Sequence, residues 1–105
     1  MNAYNKFMVW ILRRHKLTEF EISVLCAAMD IKPGMTVTYS ELAHRVGKPG
    51  ASRAAGNALN RNPLPLLIPC HRVVASNGIG GYRYGITLKR MLLGIESLPL
   101  MGTYK

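Results

Sequence analysis

Acidic residues are scarce in this chain of 105 residues. Five Asp and Glu stand against fourteen Lys and Arg, for a net charge of +9. That imbalance argues against a cationic partner and favours a polyanion, either nucleic acid or an anionic membrane surface, without choosing between them. Long apolar runs are missing too. No stretch approaches the ~20 residues of a membrane span, and Phe7-Met8-Val9-Trp10-Ile11-Leu12 is followed by Arg13-Arg14-His15-Lys16, the reverse of a signal peptide's order. The chain is therefore expected inside the cell, in the cytoplasm, with no segment crossing a membrane. Cysteine is scarce. Cys26 and Cys70 make no disulfide framework, and with the three histidines scattered there is no paired Cys-x-x-Cys or His-x-x-x-His spacing for zinc. No metal and no cofactor is expected. Disorder is excluded from the other side, since 49% of the residues are hydrophobic, enough for one domain with its own core.

What is present reads as a succession of short helices. Residues 1–17 are apolar and then basic, and their period fits a strand or a helical turn equally. Thr18-x-x-Glu21 is a capping box, with Phe20, Val24, Leu25 and Ala28 at helical spacing behind it. Cys26 falls in this helix as a small buried hydrophobe. Lys32-Pro33-Gly34 ends it. Val37-Thr38-Tyr39 is a short extended piece, and Thr38-x-x-Glu41 is a second capping box opening a helix through Leu42, Ala43 and Val46. Gly47-Lys48-Pro49-Gly50 connects it to a third helix, Ala51 to Arg61, ended by Asn62-Pro63. Two short helices across a glycine-containing turn read as a helix-turn-helix. The third helix is built largely of Ala and Gly, so it can approach another surface closely. Arg53 near its start and Arg61 at its end favour DNA as that surface. Ser76-Asn77-Gly78 is expected to turn a hairpin between short strands, and Gly80 to Gly85 to form a loop. Thr87 is expected to cap a last helix with Leu88, Met91, Leu92 and Ile95 on its apolar face and Glu96 at its end.

The chemistry concentrates in Leu66-Leu67-Ile68-Pro69-Cys70-His71-Arg72-Val73-Val74, where a thiol, an imidazole and a guanidinium follow a run apolar enough for the core. Neighbouring His71 and Arg72 can favour the thiolate of Cys70. Adjacent residues of a strand face opposite ways, so His71 reaches Cys70 only if Pro69 breaks the strand or a water intervenes. From residue 42 onward there are nine Lys or Arg and one carboxylate, Glu96, which makes Glu96 the leading candidate to orient His71. Backbone carbonyls can do the same.

Pro69-Cys70-His71-Arg72-Val73, preceded by Asn62-Pro63 and Leu67-Ile68, resembles the active-site signature of the O6-alkylguanine-DNA alkyltransferases, the methylated-DNA–protein-cysteine methyltransferases. Val37-Thr38-Tyr39-Ser40-Glu41-Leu42-Ala43, Ser52-Arg53-Ala54-Ala55-Gly56-Asn57-Ala58, Gly81-Tyr82-Arg83-Tyr84-Gly85 and Leu92-Leu93-Gly94-Ile95-Glu96 resemble further segments of that family in the same order. The resemblance runs from about Thr18 to Leu98 and corresponds to the family's C-terminal catalytic domain. It implies that residues 1–17 replace the usual N-terminal domain and that 18–105 form the DNA-binding, alkyl-acceptor domain. The implied fold is mainly α with a small β element, winged-helix-like and containing the helix-turn-helix.

The resemblance also implies an activity: irreversible transfer of an alkyl group from guanine O6 in double-stranded DNA to the protein's own cysteine, once per molecule, by a monomer. Ser52, Arg53, Ala54, Gly56, Asn57 and Tyr39 would bind DNA from the minor groove. Arg53 would fill the stack while the target base is flipped out, a step needed because O6 is shielded in the duplex. Cys70, His71, Glu96 and Tyr39 would be catalytic, and Val73, Tyr82, Arg83 and Tyr84 would form the base pocket. Asn62 would be the hinge between recognition helix and active site. Tyr84 stands where some relatives have glycine, which would narrow the pocket. Two other readings are a damage sensor like the alkyltransferase-like proteins, which lack the reactive cysteine, and a helix-turn-helix transcription factor with a structural Cys70. Cys70 disfavours the sensor. The Ala/Gly-rich helix has few side chains long enough to read major-groove edges, which disfavours the transcription factor.

Overall fold

The computed structural model describes residues 3–97; the tail 98–105, assigned above to the DNA-binding domain, lies outside the described residues. The leading segment is a helix, α1 (Ala3–Arg13), with Met8 and Leu12 four residues apart on one face and both in the core. α2 (Glu19–Ala28) starts at the expected box. Thr18 Oγ1 accepts from Glu21 N at 3.1 Å and Glu21 Oε1 accepts from Thr18 N at 2.8 Å. It buries Ile22, Val24, Leu25 and Ala28. The helix stops four residues before Lys32, earlier than the sequence suggests. Asp30 N and Ile31 N bond back only three residues, to Ala27 and Ala28 carbonyls, and this tightened turn leads into Pro33 and Gly34, the latter at φ +87°.

β1 (Val37–Thr38) runs directly into α3 (Tyr39–Arg45). Only half of the second capping box forms. Thr38 Oγ1 accepts from Glu41 N at 3.0 Å, but the Glu41 carboxylate turns to Arg45 Nε at 3.1 Å. α4 (Ser52–Asn60) follows a connector that reverses at Gly47 and Gly50, both with positive φ. Ala55, Ala58 and Leu59 of α4 are buried against α2 and α3, while Arg53, Ala54 and Asn57 face outward. Small residues on the inner face let the three helices pack closely, which is the helix-turn-helix core. At the end of α4, Arg61 is drawn to Glu21 at 3.5 Å and so tied to α2.

Two expectations fail between α4 and the last helix. Leu66 and Leu67 are 61% and 57% exposed, and only Ile68 of that run enters the core. Leu66 sits at φ +74°, in a loop closed by Ile68 N donating to Leu64 O at 2.9 Å, so the run is a turn rather than a buried strand. Nor is there a two-stranded hairpin around Ser76–Gly78. β2 (Val73–Val74) pairs with β1 in parallel, Val37 opposite Val73, and the turn closes a single Ala75–Gly78 bridge. Ile79-Gly80-Gly81 cannot carry a return strand with Gly80 at φ +75°.

α5 (Ile86–Glu96) is capped by Gly85, not Thr87, which lies inside the helix without a cap bond. Its expected apolar face is mostly open: Leu88, Met91 and Ile95 are exposed, and the one buried residue is Lys89. The architecture is nonetheless mainly α with a small β element around a helix-turn-helix. The segment 75–85 after β2 takes the place of a wing.

Candidate active site

Two-residue pairing of β1 with β2 decides the site's layout. It sets Tyr39, the first residue after β1, beside the segment that leads into β2. That segment is a 3₁₀ turn, Cys70–Arg72, behind Pro69, so the strand geometry that would have pointed Cys70 and His71 apart does not apply. A cleft of about 410 Å³ opens above it. Ser52, Arg53, Gly56, Asn57, Leu59 and Asn60 of α4 form one wall, Gly81, Tyr82 and Arg83 the other, with Tyr39 and Cys70 also lining the cleft. That volume suits a small ligand of nucleobase size.

Cys70 is 6% exposed, and burial pushes its thiol above the ordinary cysteine value. A hydrogen bond from Asn62 Nδ2 at 3.3 Å, its own backbone N–H, and the charges of Lys89 and Arg83 pull the other way. Arg72, expected to favour the thiolate, is committed elsewhere. Its Nε donates to Glu96 Oε1 at 2.9 Å, Nη2 to Glu96 Oε2 at 2.7 Å, and Nη1 to the Ile31 carbonyl at 2.7 Å. His71 is 1% exposed; its Nε2 lies 2.8 Å from Glu96 Oε2, while Nδ1 is buried with no hydrogen-bond partner among the described residues. Glu96 is held below the usual carboxylate range, first by its bonds from Arg72 and then, against the opposing effect of burial, by His71.

Asn62 is fully buried and fully engaged. Nδ2 donates to Ile68 O at 2.9 Å as well as to Cys70, and Oδ1 accepts from Leu64 N at 2.8 Å, joining the end of α4 to the cysteine's loop. Tyr39 donates its phenol to Gly81 O at 3.2 Å, and its ring rests 3.8 Å from where a Gly56 side chain would begin. Burial raises its phenol above the ordinary value, the Gly81 bond opposes that, and Cys70 adds to it. Tyr82 stands edge-on to His71 with ring centroids 6.4 Å apart, and Arg83 Nη1 donates to Asn60 O at 3.2 Å, clasping the loop to the end of α4. Val73 is buried in β2 and its side chain does not line the cleft; Tyr84 also lies outside the lining, half-exposed and edge-on to Tyr82 at 5.6 Å.

Lys89 is the residue that sequence reasoning passed over. Fully buried, its Nζ donates to Val73 O at 2.6 Å and Gly81 O at 2.9 Å, and burial brings its ammonium down to about 8. One side chain thereby fixes β2, the loop that also holds Tyr39, and a positive charge near Cys70. Its place in the helix offered a weak signal: it falls one residue from an apolar repeat that the fold leaves exposed. No group of three or more His, Cys, Asp or Glu suited to a metal occurs among the described residues, and none of the helices described is long and apolar enough to cross a membrane.

Residues 19–98 match the family model described as the DNA-binding domain of 6-O-methylguanine DNA methyltransferase. The chain is 50% identical over 86 residues to a methylated-DNA–protein-cysteine methyltransferase of Methanothermobacter thermautotrophicus, covering 81% of this chain and 48% of that protein. It is 46% identical over 87 residues to the protein of the same name in Methanocaldococcus jannaschii, covering 83% and 51%. Among solved structures, Mycobacterium tuberculosis OGT in complex with DNA superposes with a TM-score of 0.74 at 43% identity, covering 77% of this chain and 51% of that one. Schizosaccharomyces pombe Atl1, bound to damaged DNA containing O6-carboxymethylguanine, gives 0.66 at 30% identity, with 78% and 79% covered. The chain thus spans about half the length of the curated methyltransferases it matches. On the family model and these identities, the chain belongs to the 6-O-methylguanine DNA methyltransferase DNA-binding domain family.

Proposed function

We propose that this chain corresponds to the catalytic, alkyl-accepting domain of that family, residues 18–105 forming it and α1 adding to its core. It repairs DNA by moving an alkyl group from guanine O6 to Cys70. The observation that carries this reading is Cys70 lining a cleft walled by α4, next in the chain to an imidazole that Glu96 orients. α4 enters the minor groove of double-stranded DNA, its outward Ala54 and Asn57 and cleft-lining Ser52 and Gly56 allowing close approach, and Arg53 fills the space that the flipped guanine leaves.

The flipped base lies in the cleft between Tyr39, Tyr82 and Arg83, with backbone groups of Cys70, Val73 and Arg83 reading its edge. Tyr84 reaches this pocket through Tyr82. Burial keeps the Cys70 thiol protonated at neutral pH, so the reaction needs a proton acceptor, and His71 Nδ1, buried and unpartnered, is suited to it. The thiol proton passes to Nδ1, directly or over one water, as Sγ bonds to the alkyl carbon and the C–O6 bond breaks. Tyr39 gives a proton to guanine N3, so that a neutral base leaves; the proton on His71 balances the one Tyr39 has lost. Asn62 is the hinge that couples the cysteine to α4. No cofactor takes part, and one molecule acts as a monomer, once.

A second reading has its own support, because the chain covers far more of Atl1 than of the methyltransferases. A damage sensor would bind the same DNA without reacting. Intact mass after mixing with duplex containing O6-methylguanine separates the two. The expected result is a gain of one methylene, mapped to Cys70 and absent in Cys70→Ser, which keeps DNA affinity because the hydroxyl has similar size. An unmodified wild-type chain that binds the lesion would establish the sensor, and a methyl on Cys26 would refute the mechanism.

A further inference from the structure

Arg72 has no part in the reaction just described, yet it makes more side-chain hydrogen bonds than any other residue of the catalytic turn. We propose that Arg72 is a positioning residue: its two-pronged grip holds Glu96 ionised and immobile, which fixes the His71 imidazole with its proton on Nε2 and its lone pair on Nδ1. The inference rests on the alkyl-acceptor reading for its consequence, but its geometry stands without it.

Glu96 is the last residue of α5, where a helix frays and where the macrodipole disfavours a carboxylate. Left alone there, it would be a poor anchor for a buried histidine. Arg72 supplies what the position lacks. Its planar fork meets both carboxylate oxygens at 2.9 and 2.7 Å, and its third donor is secured to the Ile31 carbonyl just beyond α2 at 2.7 Å. The guanidinium therefore bolts the end of α5 to backbone beside the core. A carboxylate clasped by a permanent cation does not carry the proton of a shared bond, so at 2.8 Å His71 Nε2 must be the donor to Oε2. The lone pair is left on Nδ1, the atom with no partner.

The other ionisable groups of the site are occupied elsewhere. Lys89 of α5 is held by the Val73 and Gly81 carbonyls, Arg83 by the Asn60 carbonyl, and Tyr39 by the Gly81 carbonyl. Tyr82 meets the imidazole edge-on. Among the described residues, Arg72 is the one Lys or Arg paired with Glu96.

The test uses the ¹⁵N-labelled full chain as wild type, Arg72→Gln, Arg72→Lys, Glu96→Gln and the Arg72→Gln/Glu96→Gln double variant. Imidazole nitrogen shifts report the tautomer directly, and mass spectrometry follows Cys70 alkylation by iodoacetamide and by O6-methylguanine duplex. The wild type should show protonated Nε2. Arg72→Gln should move His71 to a tautomer mixture like that of Glu96→Gln and slow both alkylations about 10- to 100-fold, by analogy with metal-bound histidines that lose their orienting partner. The double variant should be no slower than Glu96→Gln, and Arg72→Lys, with one charged donor, should fall between. Wild-type tautomer in folded Arg72→Gln, or losses that multiply in the double variant, overturns the proposal by reducing Arg72 to a structural brace. If Arg72→Gln does not fold, Arg72→Lys decides by the same shifts. Intact tautomer and iodoacetamide responses without any methyl transfer, even by wild type, refute the alkyl-acceptor reading and leave Arg72 in its role.

Discussion

Gly80 carries the tightest steric condition in the site. A Cβ there would lie 2.9 Å from the Tyr39 hydroxyl and ring and 3.0 Å from Ala75 N, at φ +75°. Gly80→Ala should therefore push Tyr39 off the Gly81 carbonyl. We expect methyl transfer to fall at least about tenfold, with about 1–2 kcal/mol of stability lost to the backbone strain; single-turnover kinetics and thermal melts would show a sound loop if both stay unchanged. Glu96 gives a pH prediction. Its folded value is depressed, so the stability it adds is present above the unfolded carboxylate value of 4.5 and is lost as pH falls through the lower folded one. Glu96→Gln should flatten the acid limb of a stability–pH curve in that window and leave the alkaline limb alone. Cys70, His71 and Glu96 stood out in the sequence because a thiol, an imidazole and a solitary late carboxylate are rare together. Lys89 did not, since its burial depends on two carbonyls that no local pattern positions. The Arg72 assignment to the thiol failed for a related reason: adjacency in sequence says nothing of where a six-bond side chain ends.

Elements whose signals are local were legible. The Thr18 box, the Thr38 cap, and Gly50 just before the third helix all act within four residues, and α2, α3 and α4 begin close to where those residues place them. Elements decided by distant partners were not. The parallel β1–β2 pair joins residues more than thirty positions apart and looks nothing like a hairpin in sequence. The apolar repeat of α5 lies on a face that the fold leaves mostly exposed. Leu66-Leu67-Ile68 misled in the same way, as composition suggested core and the chain made a turn. That turn carries a testable strain. A leucine at φ +74° costs roughly 1 kcal/mol or more that Asn, more tolerant of this region, largely avoids. Because Leu66 is also exposed, its side chain has little burial to lose. Leu66→Asn should stabilise the chain by about 0.5–1 kcal/mol and raise Tm by a few degrees. A lowered Tm would mean that the leucine makes packing contacts worth more than its backbone strain.

At the scale of the molecule, charge and shape combine in one expectation about DNA. A net charge of +9 makes association with any duplex favourable, and in the minor groove proposed for α4 the base edges present only a degenerate pattern to its outward Arg53, Asn57 and Asn60. Binding should thus depend little on sequence and weaken steeply with salt, the log–log slope growing by about 0.9 for each phosphate neutralised. Arg53 separates two kinds of cation. Exposed on α4 and lining the cleft, it would add about 0.9 to that slope if it paired with a phosphate, and Arg53→Ala would remove that increment. If it instead fills the stack left by the flipped guanine, Arg53→Ala should leave the slope near its wild-type value. Repair of duplex should then slow far more than reaction with free O6-methylguanine, because only the duplex requires the base to be extruded. Salt titrations and paired rate measurements on wild type and Arg53→Ala distinguish the cases. Equal loss on duplex and free base would place Arg53 in the pocket, and a shallower slope with balanced rates would make it one more phosphate contact.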